Sequence, residues 1–359
     1  MQDFTAGGLS AAPIRRSTTG DPKTDELVRQ LVAASGCQKS CEYIEELVIT
    51  ALKMGRDQTT VADLKLFNRS LKEMRHAARV FAPYRHTPKV VVFGSARTAP
   101  TEPEAIAAEE FARRMHQEHG YMTITGGGEG IMGAAQRGAG REHGFGLNIR
   151  LPFEQSANPT IEGDPKLVNF NYFFTRKLNF LKETHAVALF PGGFGTMDEG
   201  FEVLTLMQTG KARILPVVML DRPGGGYWNT WLAFLGDYLL KLGLVSKDDF
   251  HLFKITPTVD EAIQEIILFY RNFKSYRWVG QRLVIRIERE LTPPALEELN
   301  SDFADILVGD TIIQSRALPQ EHDEPEIAAL PRLVLTPKRR NFGRLRKLID
   351  SINLAETLA

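Results

Sequence analysis

Nine consecutive residues, Pro191–Glu199, combine residue types that could bind an anion and carry out acid–base chemistry. They read Pro-Gly-Gly-Phe-Gly-Thr-Met-Asp-Glu. The apolar run 185–190 before them is typical of a buried parallel strand, and apolar residues at helical spacing follow them. A glycine-rich turn between strand and helix leaves N–H groups free for a phosphate. Glu199 is expected in the first helical turn, where its negative charge would oppose phosphate binding, so its presence indicates catalysis.

Two further glycine-rich loops follow strand-like segments, at Gly94-Ser95 and at Gly126–Gly130. In an open α/β sheet the carboxyl ends of the strands border one crevice, so the three loops are expected to converge there. The Gly126–Gly130 loop approximates a dinucleotide fingerprint, with Glu154 placed to hold a ribose. However, this loop follows the second strand of the pattern and not the first, which disfavours a nicotinamide-dependent dehydrogenase.

A basic pair, Arg176-Lys177, lies fifteen residues before Pro191 at the start of a short predicted helix. An isolated Arg-Lys pair is most often simply solvated. Here the helix directly precedes the strand that leads to Pro191, which puts its N-terminus on the crevice side. Arg176 could bind phosphate with two parallel hydrogen bonds or support developing charge on a sugar, and Lys177 would add a point charge.

From Lys89 the pattern alternates between strand and helix, which predicts a Rossmann-like, doubly wound parallel sheet of the α/β class. The predicted organisation has four parts. These are a flexible tail (1–20), a helical N-terminal extension (21–87), a nucleotide-binding catalytic domain (88–275) and a small α+β C-terminal extension (276–359). The C-terminal part carries an acidic patch (321–326) followed by a basic one (338–347). A solvated face or a contact between subunits would explain the basic patch better than a bound nucleotide effector or nucleic acid.

The composition sets limits on the function. The chain has 359 residues, with 44 Lys+Arg balancing 44 Asp+Glu, so no overall charge favours nucleic acid or an anionic membrane as a partner. No membrane span or signal peptide is evident, and a cytoplasmic location is expected by default.

Cys37 and Cys41 lie one helical turn apart without a His or Cys partner nearby, so we interpret them as half-buried packing residues. No metal or other cofactor is predicted.

Three segments together resemble one family. They are Pro191–Glu199, Arg176-Lys177, and Gly126–Met132, which reads Gly-Gly-Gly-Glu-Gly-Ile-Met. The chain is similar over about residues 88–275 to the LONELY GUY proteins, which are cytokinin riboside 5′-monophosphate phosphoribohydrolases and whose bacterial relatives act as nucleotide nucleosidases. Some relatives have carried the label "lysine decarboxylase", although no motif for pyridoxal phosphate is present. The extensions on both sides make it resemble a longer bacterial member.

The resemblance implies roles for individual residues. Arg176 and Glu199 match the catalytic arginine and glutamate of the family. The positions expected to contact or border the substrate are Gly94, Ser95, Gly127, Gly128, Gly130, Met132, Glu154, Lys177, Gly192, Gly193, Phe194, Gly195, Thr196, Met197, Asp198, Glu202 and Thr205. Where plant-type members have Met-His before the Arg-Lys pair, this chain has Phe173-Phe174-Thr175. That replacement fits a general purine nucleotide at least as well as a cytokinin nucleotide.

The resemblance implies hydrolysis of the N-glycosidic bond of a nucleoside 5′-monophosphate, such as AMP or N6-modified AMP, to free base and ribose 5-phosphate. Family members are commonly dimers or larger homo-oligomers. One alternative is a non-catalytic nucleotide-binding or sensor protein on the same fold. Another is a nucleic-acid-processing protein, which the balanced charge and the lack of an aromatic–basic groove pattern disfavour.

Overall fold

The computed structural model describes residues 17–151, 156–222, 224–309, 311–338 and 341–358. These residues form two compact units, one up to Arg75 and one from His76 onward, with the boundary inside a helix. Most of the predicted tail, residues 1–16, lies outside the described residues. No helix among the described residues is both long and apolar enough to cross a membrane.

The first unit consists of helices α1 (Pro22–Ala34), α2 (Cys41–Arg56) and the first part of α3 (Val61–Phe81). Asp21 caps α1 by accepting hydrogen bonds from the backbone N–H groups of Lys23 and Thr24. The small core contains Val28, Val32 and Ile49, with Cys37 and Cys41 packed against it. Both cysteines are free thiols of intermediate exposure, as the packing interpretation predicts.

The second unit is built on a seven-stranded sheet whose strands all pair in parallel, in the order β4-β3-β2-β1-β5-β6-β7. The predicted α/β Rossmann-like fold is therefore confirmed. The strands are β1 (Lys89–Phe93), β2 (Met122–Thr125), β3 (Gly144–Ile149), β4 (Leu167–Phe170), β5 (Ala186–Leu189), β6 (Val217–Leu220) and β7 (Lys254–Thr256). The flanking helices are α4 (Pro103–His119), α5 (Ile131–Ala139), α6 (Phe173–Glu183), α7 (Phe194–Gln208), α8 (Tyr227–Phe234) and α9 (Val259–Phe269).

Both faces of this sheet are covered, as the unbroken apolar strands predict. Val91 and Phe93 of β1 belong to a core with α6 and α7, whereas Val90 and Val92 belong to a core with α4, α5 and α9. Strands β1 to β4 follow one another toward one edge of the sheet, and β5 then pairs with the opposite side of β1. This reversal opens a crevice between the carboxyl ends of β1 and β5, where such sheets bind ligands.

Two sequence predictions in this region need correction. The long helix expected over 228–242 divides into α8 and a π-helical segment, Leu235–Leu240. The helix expected over 259–273 ends at Phe269, because the chain turns there into another strand, β8 (Phe273–Val279). The pattern also failed to indicate β7, which has three residues at the edge of the sheet and is too short for a periodic signal.

The C-terminal part is α+β, as predicted. A four-stranded antiparallel sheet has the order β10-β11-β9-β8 and packs a core of its own. Its further elements are β9 (Arg282–Ile287), α10 (Pro293–Asp302), β10 (Ile313–Ser315), β11 (Arg332–Leu335) and α11 (Phe342–Leu354).

The charged residues expected on a solvated face in this part mostly form ion pairs within the unit instead. Arg346 is buried, and its guanidinium contacts Glu265 and Asp350. Buried Arg286 and Arg332 are cross-strand partners, and Glu321 accepts hydrogen bonds from both, at 2.8 Å from Arg286 Nη2 and 3.2 Å from Arg332 Nε. Like charges opposite each other on a sheet repel, so the carboxylate is what makes this pairing tolerable.

We expect Glu321→Ala to lower the free energy of unfolding by about 3–5 kcal/mol, because it removes the carboxylate shared by two buried arginines; Arg286 keeps Glu324 as a partner, but Arg332 is left without its carboxylate. Denaturant unfolding of the full chain would measure this. Glu326→Ala, at an exposed position five residues away, is the matched control and should change the stability by less than about 0.5 kcal/mol. Equal unfolding midpoints for the two variants would contradict the structural role of Glu321.

Candidate functional site

The three glycine-rich loops meet at the carboxyl edge of the sheet, as the sequence predicts. Ser95 holds them together through its backbone. Its N–H donates to the carbonyl oxygen of Pro191 (3.1 Å), and its carbonyl oxygen accepts from the N–H of Ile131 (2.9 Å). The Ser95 hydroxyl accepts a hydrogen bond from the N–H of Arg97. Ser95 therefore organises the loops, although the sequence analysis placed it at the border of the substrate.

Close packing explains several glycines in these loops. A Cβ at Gly130, which has φ +65°, would lie 2.3 Å from the carbonyl oxygen of Ser95. A Cβ at Gly192 would lie 2.1 Å from Thr196 Oγ1, and one at Gly94 would lie 2.6 Å from the Ile131 side chain. Gly193 and Gly195 differ, because a Cβ at either position would meet nothing within 4 Å. The open side of the loop is thus at Gly193 and Gly195.

Helix α7 starts at this open side, with Gly193 as its N-cap. The N–H groups of Thr196 and Met197 donate back to the Gly193 carbonyl oxygen at 3.1 Å. Among the described residues no side chain caps this end. The exposed N–H groups and the positive end of the helix dipole therefore suit an anion such as phosphate.

Tyr227, which the sequence analysis missed, helps to hold this loop. Its hydroxyl donates to the carbonyl oxygen of Gly192, and its own N–H donates to Asp221 Oδ2 at 2.8 Å. The sequence contains no signal for this contact, since Tyr227 is 35 residues away from Gly192 and begins a different helix.

Glu199 lies in the second turn of α7, not in the first turn as expected. The helix already begins at Phe194, because the glycine-rich segment itself winds into the first turn. Position 199 therefore falls on the face of the helix that packs against the sheet. The Glu199 residue is only 7% exposed.

Lys177 of α6 links this carboxylate to two others. Its Nζ lies 2.6 Å from Glu202 Oε2, 2.8 Å from Asp198 Oδ2 and 3.4 Å from Glu199 Oε2. The sequence analysis expected a point charge for the substrate at Lys177. In this structure, the ammonium group instead joins α6 to α7.

The electrostatics of the cluster follow from its burial. Burial raises the pKa of the Glu199 carboxyl, and the nearby Lys177 and Arg176 cations only partly oppose this effect. Burial lowers the pKa of the Lys177 ammonium, but hydrogen bonds to Asp198 and Glu202 outweigh it, so that pKa is raised overall. A buried carboxylate with a raised pKa beside a fixed cation is typical of acid–base sites.

The Arg176 side chain extends from α6 toward β3 and the second glycine-rich loop. Its Nε donates to the carbonyl oxygen of Leu147 at 2.7 Å, and its guanidinium lies 5.0 Å from the centre of the Phe180 ring. A Cβ at Gly126 would lie 2.6 Å from Arg176 Nη2. Burial lowers the pKa of Arg176, and Glu199 opposes this effect, which indicates that the two charges influence each other.

Asn158 is a second residue that the sequence analysis missed. It is buried, and its Nδ2 donates to the carbonyl oxygens of Gly127 and Gly128 at 3.1 Å each. Gly127 has φ +78°, and a Cβ at Gly128 would lie 2.8 Å from Met132 Cε. Asn158 thus fixes the conformation of the loop, and Met132 packs against it.

Some of the predicted site residues are not placed beside Glu199. Phe194 is 97% exposed, and Thr205 is also exposed on the α7 face that points away from the sheet. Met197 packs partly against the core. Glu154 lies outside the described residues. Within the described residues, no group of His, Cys, Asp or Glu side chains is arranged to hold a metal ion.

Comparisons with known proteins agree with the resemblance found from the motifs. The family described as "Possible lysine decarboxylase" matches residues 132–266. A cytokinin riboside 5′-monophosphate phosphoribohydrolase of Arabidopsis thaliana is 26% identical over 167 residues, covering 45% of this chain and 73% of that protein. A probable enzyme of the same name from Oryza sativa subsp. japonica is 25% identical, over 45% of this chain and 64% of that protein. The chain thus spans less than two thirds of the rice relative's length.

Two solved structures overlap with about half of the chain. A molybdenum cofactor binding protein from Rippkaea orientalis is 18% identical, covers 50% of this chain and 94% of its own, and has a TM-score of 0.36. A molybdenum cofactor carrier protein from Chlamydomonas reinhardtii is 22% identical at the same coverage, with a TM-score of 0.33. The resemblance to the LONELY GUY family is confirmed, at modest identity and over part of the chain.

Proposed function

We propose that this protein hydrolyses the N-glycosidic bond of a nucleoside 5′-monophosphate, giving free base and ribose 5-phosphate. One observation carries the proposal. A buried carboxylate, Glu199, lies one turn beyond a helix N-terminus that is open to an anion, with Lys177 and Arg176 beside it. A single sugar phosphate could thus bind at the N-terminus of α7 while its anomeric carbon faces the acid.

The chemistry assigned to each group follows from its surroundings. The free amides at the start of α7 would bind the 5′-phosphate. Glu199 would stabilise positive charge on the sugar and orient or deprotonate the attacking water, as carboxylates do in glycoside cleavage. Water then adds its hydroxyl to the anomeric carbon and its second proton goes to the leaving base. Arg176 would balance charge on the phosphate or on the departing base.

The names of the relatives support this reaction at the level of the family, since they describe phosphoribohydrolases of cytokinin riboside monophosphates. For this chain, we extend the proposal to AMP and N6-modified AMP as substrates. We also propose that the protein is located in the cytoplasm.

Base release from AMP tests the proposed reaction. We expect the wild type to release adenine, and Glu199→Gln and Arg176→Ala each to lower kcat/KM by about 10²-fold or more, since electrostatic groups at reacting centres commonly contribute that much. Glu297→Gln changes an exposed glutamate in α10 in the same way and should be without effect. Chromatography of free adenine and ribose 5-phosphate is the measurement.

Two outcomes would contradict the proposal. Undiminished cleavage in both variants would remove the assigned roles of Glu199 and Arg176. Tight AMP binding by the wild type without any release of adenine would favour the alternative, a non-catalytic nucleotide-binding protein.

The pH dependence of kcat/KM tests the electrostatics of the cluster. If the ionised form of Glu199 is active, activity is lost as the pH falls through its raised pKa, so the acidic limb should lie above the ordinary value of 4.5. Lys177 lowers this pKa and Glu202 raises it. We therefore expect Lys177→Met to move the limb to higher pH and Glu202→Gln to move it to lower pH. Shifts in the same direction would rule out this coupling.

We also propose that the chain forms homodimers or larger homo-oligomers. Exposed apolar side chains on and after the α8 segment support this, namely Phe234, Tyr238, Leu242 and Leu244. Light scattering should give at least twice the chain mass, and the double variant Leu242→Glu, Leu244→Glu should shift it towards the monomer. Leu354→Glu, at another exposed leucine, is the control. A monomeric wild type would refute the proposal.

A further inference from the structure

The first turn of α6 places an exposed aromatic ring on the same helix face as the site. Phe173, Arg176, Lys177 and Phe180 have the spacing i, i+3, i+4 and i+7, which is one face of an α-helix. Phe180 is buried in the core, and Arg176 and Lys177 contact the glycine-rich loop and the α7 carboxylates. Phe173 is therefore on the face that points to the site.

Phe173 is nevertheless 52% exposed, and its position along the helix explains why. In a parallel sheet, the helix between two strands begins at the carboxyl edge, so the first residues of α6 lie at the edge of the sheet where the glycine-rich loops meet. Phe173 lies one turn nearer to this edge than Lys177, which contacts Asp198 at 2.8 Å. Helical side chains also lean toward the helix N-terminus, which brings the ring closer to this edge.

The neighbouring Phe174 provides a contrast. It lies about 100° further around the helix, and its ring stacks on Tyr172, with centroids 5.4 Å apart. Leu178 follows it on the same outer face and is also exposed. Within the described part of the chain, Phe173 stacks on no other ring. Of the two adjacent phenylalanines, Phe174 has a ring partner on the surface, whereas Phe173 is exposed on the helix face that carries Arg176 and Lys177.

From this arrangement we infer that Phe173 binds the base of the nucleotide by stacking. The inference rests on the proposed function, which places the phosphate at the start of α7 and the sugar beside Glu199. The base then projects away from Glu199 along the crevice. A phenyl ring offers a flat apolar surface to any base, because every base has an aromatic face. Phe173 therefore sets affinity for the base and tolerates differences at its edges, including substituents on the N6 of adenine.

Binding of AMP and of ribose 5-phosphate, measured by calorimetry in the Glu199→Gln background so that AMP is not consumed during the measurement, separates the base from the rest of the ligand. We expect Phe173→Ala to weaken AMP binding by about 5- to 150-fold, the range found when a base-stacking aromatic is removed. Binding of ribose 5-phosphate, which has no base, should stay within about twofold. Phe173→Tyr should retain AMP affinity because it keeps the ring. GMP and CMP should lose affinity in Phe173→Ala much as AMP does.

Phe174→Ala is the matched control, because it removes the same side chain from the outer face of the same helix turn. It should leave AMP affinity unchanged. An equal loss of AMP and ribose 5-phosphate binding in Phe173→Ala would show a general disturbance of α6 and overturn the inference. Unchanged AMP binding in that variant would overturn it as well.

These measurements are independent of turnover, so the two proposals can fail separately. If AMP affinity depends on Phe173 but no adenine is released, the hydrolase proposal fails and the stacking site stands. If adenine is released and Phe173→Ala has an unchanged KM for AMP, the stacking site fails and the hydrolase stands. In an active enzyme, loss of stacking should raise KM with a much smaller effect on kcat, since it removes binding that is similar before and during the reaction.

Discussion

The site depends on the ion pairs between the Lys177 ammonium group and the carboxylates of α7. Glu199 is buried, and an isolated buried carboxylate would be strongly disfavoured. Lys177 and Arg176 compensate that cost from the neighbouring helix α6. The two cations do not remove the whole cost of burying the carboxylate, because burial still raises the pKa of Glu199. The result is a carboxylate that is fixed in position and easily protonated, which is useful for acid–base chemistry.

This contact is possible because of the connections of the parallel sheet. Both α6 and α7 begin at the carboxyl edge and pack on the same face of the sheet. The reversal of strand order at β1 and β5 opens the crevice where the glycine-rich loops meet. The glycines at 94, 130 and 192 are needed because the Ile131 side chain, the Ser95 carbonyl oxygen and the Thr196 side chain, respectively, lie too close to their backbones for a Cβ atom. At 193 and 195 the space is open, and the same residue type leaves room for a ligand.

The C-terminal sheet uses charge in another way. Glu321 is bonded to two buried arginines of adjacent strands, and Glu265 is bonded to Arg346. Pairs of this kind are destabilising when broken and contribute little beyond what apolar packing would. They join segments that are distant in the chain, since Glu321 contacts β9 and β11 and Arg346 of α11 contacts α9. Among the described residues of the basic run, Arg344 pairs with Asp305, whereas Arg346 is buried against Glu265.

The sequence by itself determined the α/β class, the convergence of the glycine-rich loops and the choice of Glu199, Arg176 and Lys177 as the charged residues of interest. Those inferences rest on local pattern, namely apolar runs, glycine-rich turns and helical spacing, which are properties of neighbours along the chain. Only the tertiary structure decided that Lys177 bonds three carboxylates, that Tyr227 and Asn158 hold the loops, and that Glu199 is in the second turn. Those contacts join residues from about 20 to 35 positions apart in the chain, and sequence pattern carries no record of which distant partner satisfies a buried polar group.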